Sequence, residues 1–425
     1  MKHRKLLSIV LSALLCLVMT TGAIAETTIT YIASQDWVQD AEIELGEKFY
    51  QETGIKVDYQ IVPSDQYTNL LMTKLNTSEC TDIFGSQAGQ FDVVTLLNVE
   101  KNALDLSNEP WAATLDPLAA AETSVNGKLY GQPVQDLSAV WAIAYNKQIF
   151  NRLNLSVPTN FAEFMAVCEA IKADGVTPIF EAVTDGWHHQ LWFCEMGPAI
   201  EHLEPGTAEK LNNNTMTFAD SAAAKLLVDQ IKQMVDAGYW GEDYMTNEYT
   251  DAAKYIASGE YAMTVANQGF PTEINAAYPE FPAEDIGYFV IPLCDNQIMN
   301  VNPVGPTRFI WSGSPNADAA KAYLEFLARP ENLQYQIDNV PKFNTLPYAG
   351  VQDKYSDELK AFYAAYPEQG TVYQTAVKYV NPQWMEIGKE LVSVLLGDQT
   401  SEQFLKNIDR NRADQAVAAQ DEAWK

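Results

Sequence analysis

Between Thr28 and Gln87 the chain switches repeatedly between strand-like and helix-like patterning, and this alternation limits the fold more than any other feature. "TITYIAS" (28–34) is rich in β-formers, whereas the stretch from Gln35 places Val38, Ala41, Leu45 and Phe49 on one helical stripe and stops at Gly54. "IKVDYQIVP" (55–63) alternates like a strand. "SDQYTNLLMTKLN" returns to helical spacing, with Ser64 or Asp65 as cap and Tyr67, Leu70, Leu71 and Leu75 inward. "DIFGSQ" (82–87) supplies a third short strand. Strands that alternate with helices require crossovers, and crossovers build a parallel sheet of the α/β class.

The same grammar continues to the end of the chain. "NGK" (126–128) is a hairpin turn, because Asn-Gly accepts positive φ at both central positions. "AVWAIAYN" (139–146), "EYAMTVAN" (260–267) and "DIGYFVIPL" (285–293) read as strands. Helices are expected from Asn160, a cap with Glu163 three residues on, and over 220–238, closed by Gly238. A further helix is expected over 316–330, and a helical pair closes the chain, the second member opened by Thr400 and Gln403 as a capping box. A length of 425 residues exceeds one compact core, so two lobes are expected. No internal repeat or linker-like tract separates them, so they must be joined by segments that pass directly between sheets.

The first 25 residues have the layout of a secretory signal: Lys2, Arg4 and Lys5, an apolar run from Leu6 to Met19, then Ala23-Ile24-Ala25. The apolar run is short for a membrane span, and cleavage is expected after Ala25. Cys16 follows Leu15, where a lipoprotein box requires a small residue, and is read as an ordinary residue of the hydrophobic region. The wide, irregular spacing of Cys80, Cys168, Cys194 and Cys294 does not form a disulfide framework, and buried free thiols are expected. Removing the three basic leader residues leaves 24 Lys plus Arg against 56 Asp plus Glu, a formal charge of −32. Such a chain is ill suited to nucleic acid or an anionic membrane, which need a basic patch.

Several stretches, in order, carry a resemblance that spans essentially the whole mature chain. They are "GEKFYQETGIKVDYQIVP", "DIFGSQAG", "NGKLYGQPVQDLSAVWAIAYNKQIF", "VPTNFAEFMAVCEAIKADGVTPI", "IASGEYAMTVANQGF" and "SGSPNADAAKAYLEFLARPE". The chain resembles the extracytoplasmic solute-binding proteins of bacterial ABC importers, in the carbohydrate-binding family that includes maltose-binding protein. The resemblance implies an α/β, two-lobed periplasmic-binding-protein fold, each lobe a central β-sheet flanked by helices and joined by a hinge of crossing segments. It puts the crossings near 136–139, 287–292 and 339–344. Residues 26–136 plus 290–342 would then form the first lobe, and 137–289 plus 343–425 the second. It also implies a monomer that binds a mono- or oligosaccharide by hinge closure and delivers it to membrane permease subunits, with no cofactor and no metal. The place of action is the periplasm or the outer face of the cell membrane.

A sugar offers hydroxyls at its edge and weakly apolar C–H faces, so its site needs flat aromatics together with forked polar groups. At the positions the resemblance marks, the candidate contacts are Asp36 and Trp37 after the first strand, Gln87 after the third, and Asp136 at the first crossing. Asp36 serves equally as a cap for the following helix, and Asp136 as a hinge-fixing acceptor. "TDGWHHQLW" (184–192) contributes Trp187 as the stacking aromatic and His188 as its hydrogen-bonding neighbour. The paired His188 and His189 lack the i, i+4 spacing of a zinc motif. "ANQGF" (266–270) adds Asn267 and Gln268, with Phe270 where the family often has Trp. Phe343 and Trp384 complete the set, each with core packing as the alternative. Arg308 and Trp311 are strand residues that could face either way.

Two other classes remain open to such a sequence. A secreted glycoside hydrolase needs two carboxylates at fixed separation, and the many acidic residues leave that available, although no Gly-x-Ser-x-Gly elbow, zinc motif or phosphate loop is present. A surface glycan-binding adhesin or sensor would share the pocket without the transporter.

Overall fold

The computed structural model describes residues 27–89, 92–134, 140–302, 305–380 and 383–425. The leader, with Cys16, and the segment holding Asp136 lie outside the described residues. The elements that matter below are, in chain order, β1 (Thr27–Ser34), α1 (Asp40–Thr53), β2 (Ile55–Val62), α2 (Ser64–Thr77), β3 (Ile83–Gln87), β4 (Gly131–Pro133), β5 (Ala142–Asn146) and α3 (Phe161–Ala173). They continue with β6 (Thr177–Phe180), α4 (Ala222–Asp236), α5 (Ala252–Ser258), β7 (Tyr261–Ala266), α6 (Phe270–Ala277), β8 (Ile286–Phe289), β9 (Met299–Val301) and β10 (Pro306–Ile310). The last are α7 (Ala317–Leu327), β11 (Gln369–Thr371), α8 (Trp384–Leu395) and α9 (Ser401–Ala418).

The first sheet has the order β2-β1-β3-β10-β4. β1 runs parallel to both β2 and β3, as the opening alternation requires, while β10 is antiparallel to β3 and β4. Helices cover both faces, so successive residues of one strand enter different cores. Ile29, Tyr31 and Ala33 pack with Ile83 and Ile310 on one side; Ile32 packs with Phe84 and Phe309 on the other. Arg308 faces inward from β10, where its guanidinium meets the Glu42 carboxylate of α1 at 2.7 Å, both side chains 3% exposed. Trp311 stands just past β10 and packs half-buried against the second of these cores.

The second sheet has the order β8-β5-β7-β6, parallel only between β6 and β7. Its larger core gathers Ile143, Ile179, Met263 and Val265 with Phe164 and Ile171 of α3, the inner face of α4, and α8 and α9. Local signals act as expected. Asn126 and Gly127 take φ 51° and 76° in the tight hairpin. Asn160 Oδ1 accepts from Glu163 N at 2.9 Å, although the Glu163 carboxylate reaches back to Thr159 instead of the cap. Thr400 and Gln403 form a reciprocal capping box. Pro330 opens a short helix, Pro330–Asn339, as well as ending the previous one. Cys80, Cys168, Cys194 and Cys294 are free thiols.

The segments between the sheets run differently from the expected boundaries. After β8 the chain stays with the second lobe: Leu293 and Cys294 enter its main core, and β9 pairs with β11. Residues 343–351 stay with the first lobe, because Phe343, Leu346 and Tyr348 fill its core. The chain rejoins the second lobe through Leu359 and Phe362, which pack with Val140, Ala142, Val290 and Met299.

Candidate functional site

In open α/β sheets the space beyond the carboxyl ends of the strands is where ligands are held. In the first lobe, β1 and β3 end on Ser34 and Gln87. In the second, β6 and β7 end on Phe180 and Ala266, and the antiparallel β5 brings its amino end to the same edge, with Ala142 opposite Ala266. These edges carry the candidate side chains.

On the first lobe, Asp36 sits at φ 67° and is exposed. It does not cap α1, whose N-cap is Gln39; its backbone carbonyl instead accepts from Lys342 Nζ at 3.1 Å. Trp37 is half-buried, edge-on to Tyr67 at 5.3 Å, in space left by the missing side chain of Gly85. Gln87 is half-buried at the end of β3, opposite Pro306.

On the second lobe the aromatic wall is larger than expected. Trp187 is half-buried and edge-on to Trp141 at 5.6 Å and to Tyr249 at 5.2 Å. Trp141 looks from the sequence like one more core residue of a buried strand, and Tyr249 lies in a polar stretch without periodicity, so neither is singled out by pattern. Trp384, half-buried at the start of α8, packs against the same core. The loop bearing Trp187 is held against α8 at Gly388, where any side chain would collide with the Gly186 carbonyl.

Other expected contacts face inward. His188 is fully buried, with Nδ1 on Glu181 and Nε2 on the Val265 carbonyl, so in this structure it presents no group to the cleft. Phe270 opens the apolar stripe of α6 and is buried among Phe180, Ile274 and Ile286. Phe343 fills the first-lobe core. Gln268 is buried between Val140 and Asn344: its Oε1 accepts from Val140 N at 3.1 Å, and its carbonyl accepts from Asn344 Nδ2 at 2.9 Å. Asn267 remains half-buried at the strand end, its Oδ1 accepting from Gly269 N.

Charges from both lobes converge here. Burial pushes the Asp185 carboxyl up, helped by the negative charges of Glu248 and Asp36 against the Tyr249 amide and His188. Burial likewise raises Glu273, opposed by Lys342 and reinforced by Asp36. Lys342 is pulled down by burial against the attraction of Asp36 and Glu273. Asp36 therefore lies within electrostatic reach of a second-lobe loop and a second-lobe helix at once.

A hollow of about 370 Å³ opens elsewhere in the second lobe, lined by Pro198, Glu201, His202, Ile298 and Tyr373 among others and by none of the cleft candidates. Its acid is already used: Glu201 accepts from the amides of Gly206 and Ala208. Among the described residues no group of three His, Cys, Asp or Glu could hold a metal ion, and no helix is long and apolar enough to cross a membrane.

The model of the bacterial extracellular solute-binding protein family matches residues 35–334. The chain belongs to that family. Among curated relatives of this solute-binding protein is the melibiose/raffinose/stachyose-binding protein MelE of Bacillus subtilis, 23% identical over 72% of this chain and 70% of its own. Among solved structures, a sugar transporter from Bacillus licheniformis in complex with stachyose superposes with a TM-score of 0.74 at 20% identity, covering 92% of this chain and all of the other. A chitin oligosaccharide binding protein gives 0.77 at 18% identity over 93% and 99%. The two-lobed fold is common to this chain and these two solved structures.

Proposed function

We propose that this solute-binding protein is the carbohydrate receptor of an ABC importer, exported across the cytoplasmic membrane and acting at its outer side. An oligosaccharide of the melibiose, raffinose and stachyose series lies between the lobes, is released chemically unaltered, and passes to membrane permease subunits. The observation that carries this reading is the aromatic wall of Trp187, Trp141 and Tyr249, set at the strand ends of one lobe with Asp36 of the other within electrostatic reach. Rings of this kind meet the C–H faces of a sugar, while Asp36, Gln87 and Asn267 suit its hydroxyls. Asp136, which the resemblance puts near the first crossing, is proposed as a further acceptor. A ligand that touches both lobes favours the closed form by its extra contacts there, which is the physical content of hinge closure. The name of the Bacillus subtilis relative supports the choice of sugar series.

Calorimetry with melibiose, raffinose, stachyose and chitin oligosaccharides tests the reading. Raffinose or stachyose is expected to bind best, and Trp187→Ala to weaken that binding by about 2 kcal/mol or more, the scale of a lost anchoring aromatic. Equal affinity of the variant and the wild type, or cleavage of the sugar during incubation, contradicts it.

A further inference from the structure

Behind the aromatic wall lies a buried acid–base pair. Glu181 follows β6 directly and is fully buried. Its Oε1 lies 2.5 Å from His188 Nδ1 and accepts from Ala182 N at 3.0 Å, while Oε2 accepts from Trp192 Nε1 at 2.6 Å. The other ring nitrogen of His188 faces the Val265 carbonyl at 2.8 Å. A carboxylate on one side and a carbonyl on the other call for N–H at both ring positions, the imidazolium form. Burial alone would discharge His188, but the Glu181 charge and hydrogen bond, with Val265 and Asp185, hold its pKa above the usual value. Burial also opposes charge on Glu181, and His188 and Trp192 outweigh it, leaving that carboxyl below its usual range. The neighbouring His189 makes no hydrogen bond to Glu181: burial lowers it, against a hydrogen bond to the Gly388 carbonyl and the more distant Glu181 charge.

The His188 ring lies nearly flat on Tyr249, at 4.6 Å and 25°, and meets Trp187 edge-on at 5.2 Å and Trp141 at 6.4 Å. A cation against the face of a phenol ring is attracted by the ring quadrupole. We propose that Glu181 and His188 are positioning residues for the sugar-binding wall: their ion pair fixes the ring on which Tyr249 stacks and against which Trp187 and Trp141 lean, and so sets the tilt of the rings offered to the ligand. The inference rests on the reading of Trp187 as a sugar-stacking residue. A buried ion pair is weak as a source of stability, and its best-attested use is to select one arrangement over others. The groups facing His188 are Glu181 beneath it, Asp185 and His189 on its own loop, and Tyr249 on the segment before α5, itself influenced by Glu273. Rising pH removes the imidazolium proton and loosens the wall, so sugar affinity falls as pH rises through the His188 titration.

The test uses the full mature chain labelled with 5-fluorotryptophan, with the ¹⁹F signals of Trp187 and Trp141 assigned from their Phe variants. In Glu181→Gln and His188→Gln these two signals broaden or split while that of Trp111 in the first lobe does not, and raffinose affinity falls about tenfold. In the wild type the same two signals shift as His188 loses its proton. Signals indifferent both to the substitutions and to the titration overturn the proposal. Because the rings are read without sugar, a wild type that fails to bind raffinose faults the sugar assignment alone and the ring signals still decide. Where a variant fails to fold, the wild-type pH series decides in its place.

Discussion

Glu195 is 2% exposed; its Oε2 accepts from Asn300 Nδ2 at 2.8 Å, and the same amide reaches the Trp141 carbonyl. Burial pushes its carboxyl up to about 8, so near neutrality it is held mostly as the acid. In the unfolded chain the same group ionises near about 4.3. Between those values the folded state binds more protons, so this residue's contribution to stability falls as pH rises across that window and levels off above it. Glu195→Gln is expected to remove that slope, a difference between variant and wild type on the order of a few kcal/mol between pH 5 and 8, read from urea unfolding at each pH. Parallel profiles would show that the acid is not held neutral. Its inward direction has no mark in the sequence, where "FCEMG" gives an acid no reason to point either way. His188 misleads for the same reason: only the fold brings Glu181, seven positions earlier, and Val265 against its two nitrogens.

The proposed pivot is the contact between the start of α6 and residues 342–344. Gly269 begins the turn into α6 at ordinary φ, and a β-carbon there would stand 2.2 Å from the Lys342 carbonyl oxygen and 2.5 Å from its Cα. Backbone cannot yield as a flexible side chain can, so Gly269→Ala must separate α6 from residues 342–344 and strain the Gln268–Asn344 hydrogen bond. The expected cost is about 1–3 kcal/mol of overpacking, seen as a lower thermal midpoint and a larger radius of gyration without sugar. An unchanged radius would show that the contact is not a pivot. At this scale the sequence is most legible. Helix stripes, the Asn-Gly hairpin and the Thr400 capping box follow from short-range chemistry, and they stand where that chemistry puts them. The segments after β8 and after Phe343 are not legible, because their apolar residues name no lobe; packing alone sends Leu293 to one core and Phe343 to the other.

Across the whole molecule, two sheets of different strand order each carry candidate residues at their strand ends, and Asp36 beyond β1 lies within electrostatic reach of Asp185 and Glu273 of the other lobe. Val140, Val290 and Met299 pack together with Leu359 and Phe362. The parallel part of the first sheet could be read from the alternation between residues 28 and 87, since a crossover helix leaves a strand little choice of direction. The antiparallel additions, β10 and β4, come from distant parts of the chain and carry no local sign of their partners. Of the candidate site, Trp187 was legible through the family resemblance, whereas Trp141 and Tyr249 join it only because β5 and the segment before α5 reach the same edge. The central claim is that these lobes close on a saccharide and let it go intact. Small-angle scattering of residues 26–425 with and without raffinose, with the sugar recovered and analysed afterwards, tests it most directly. A smaller radius of gyration on saturation and unaltered raffinose are the predicted result; calorimetric binding with no compaction, or a cleaved sugar, would contradict it.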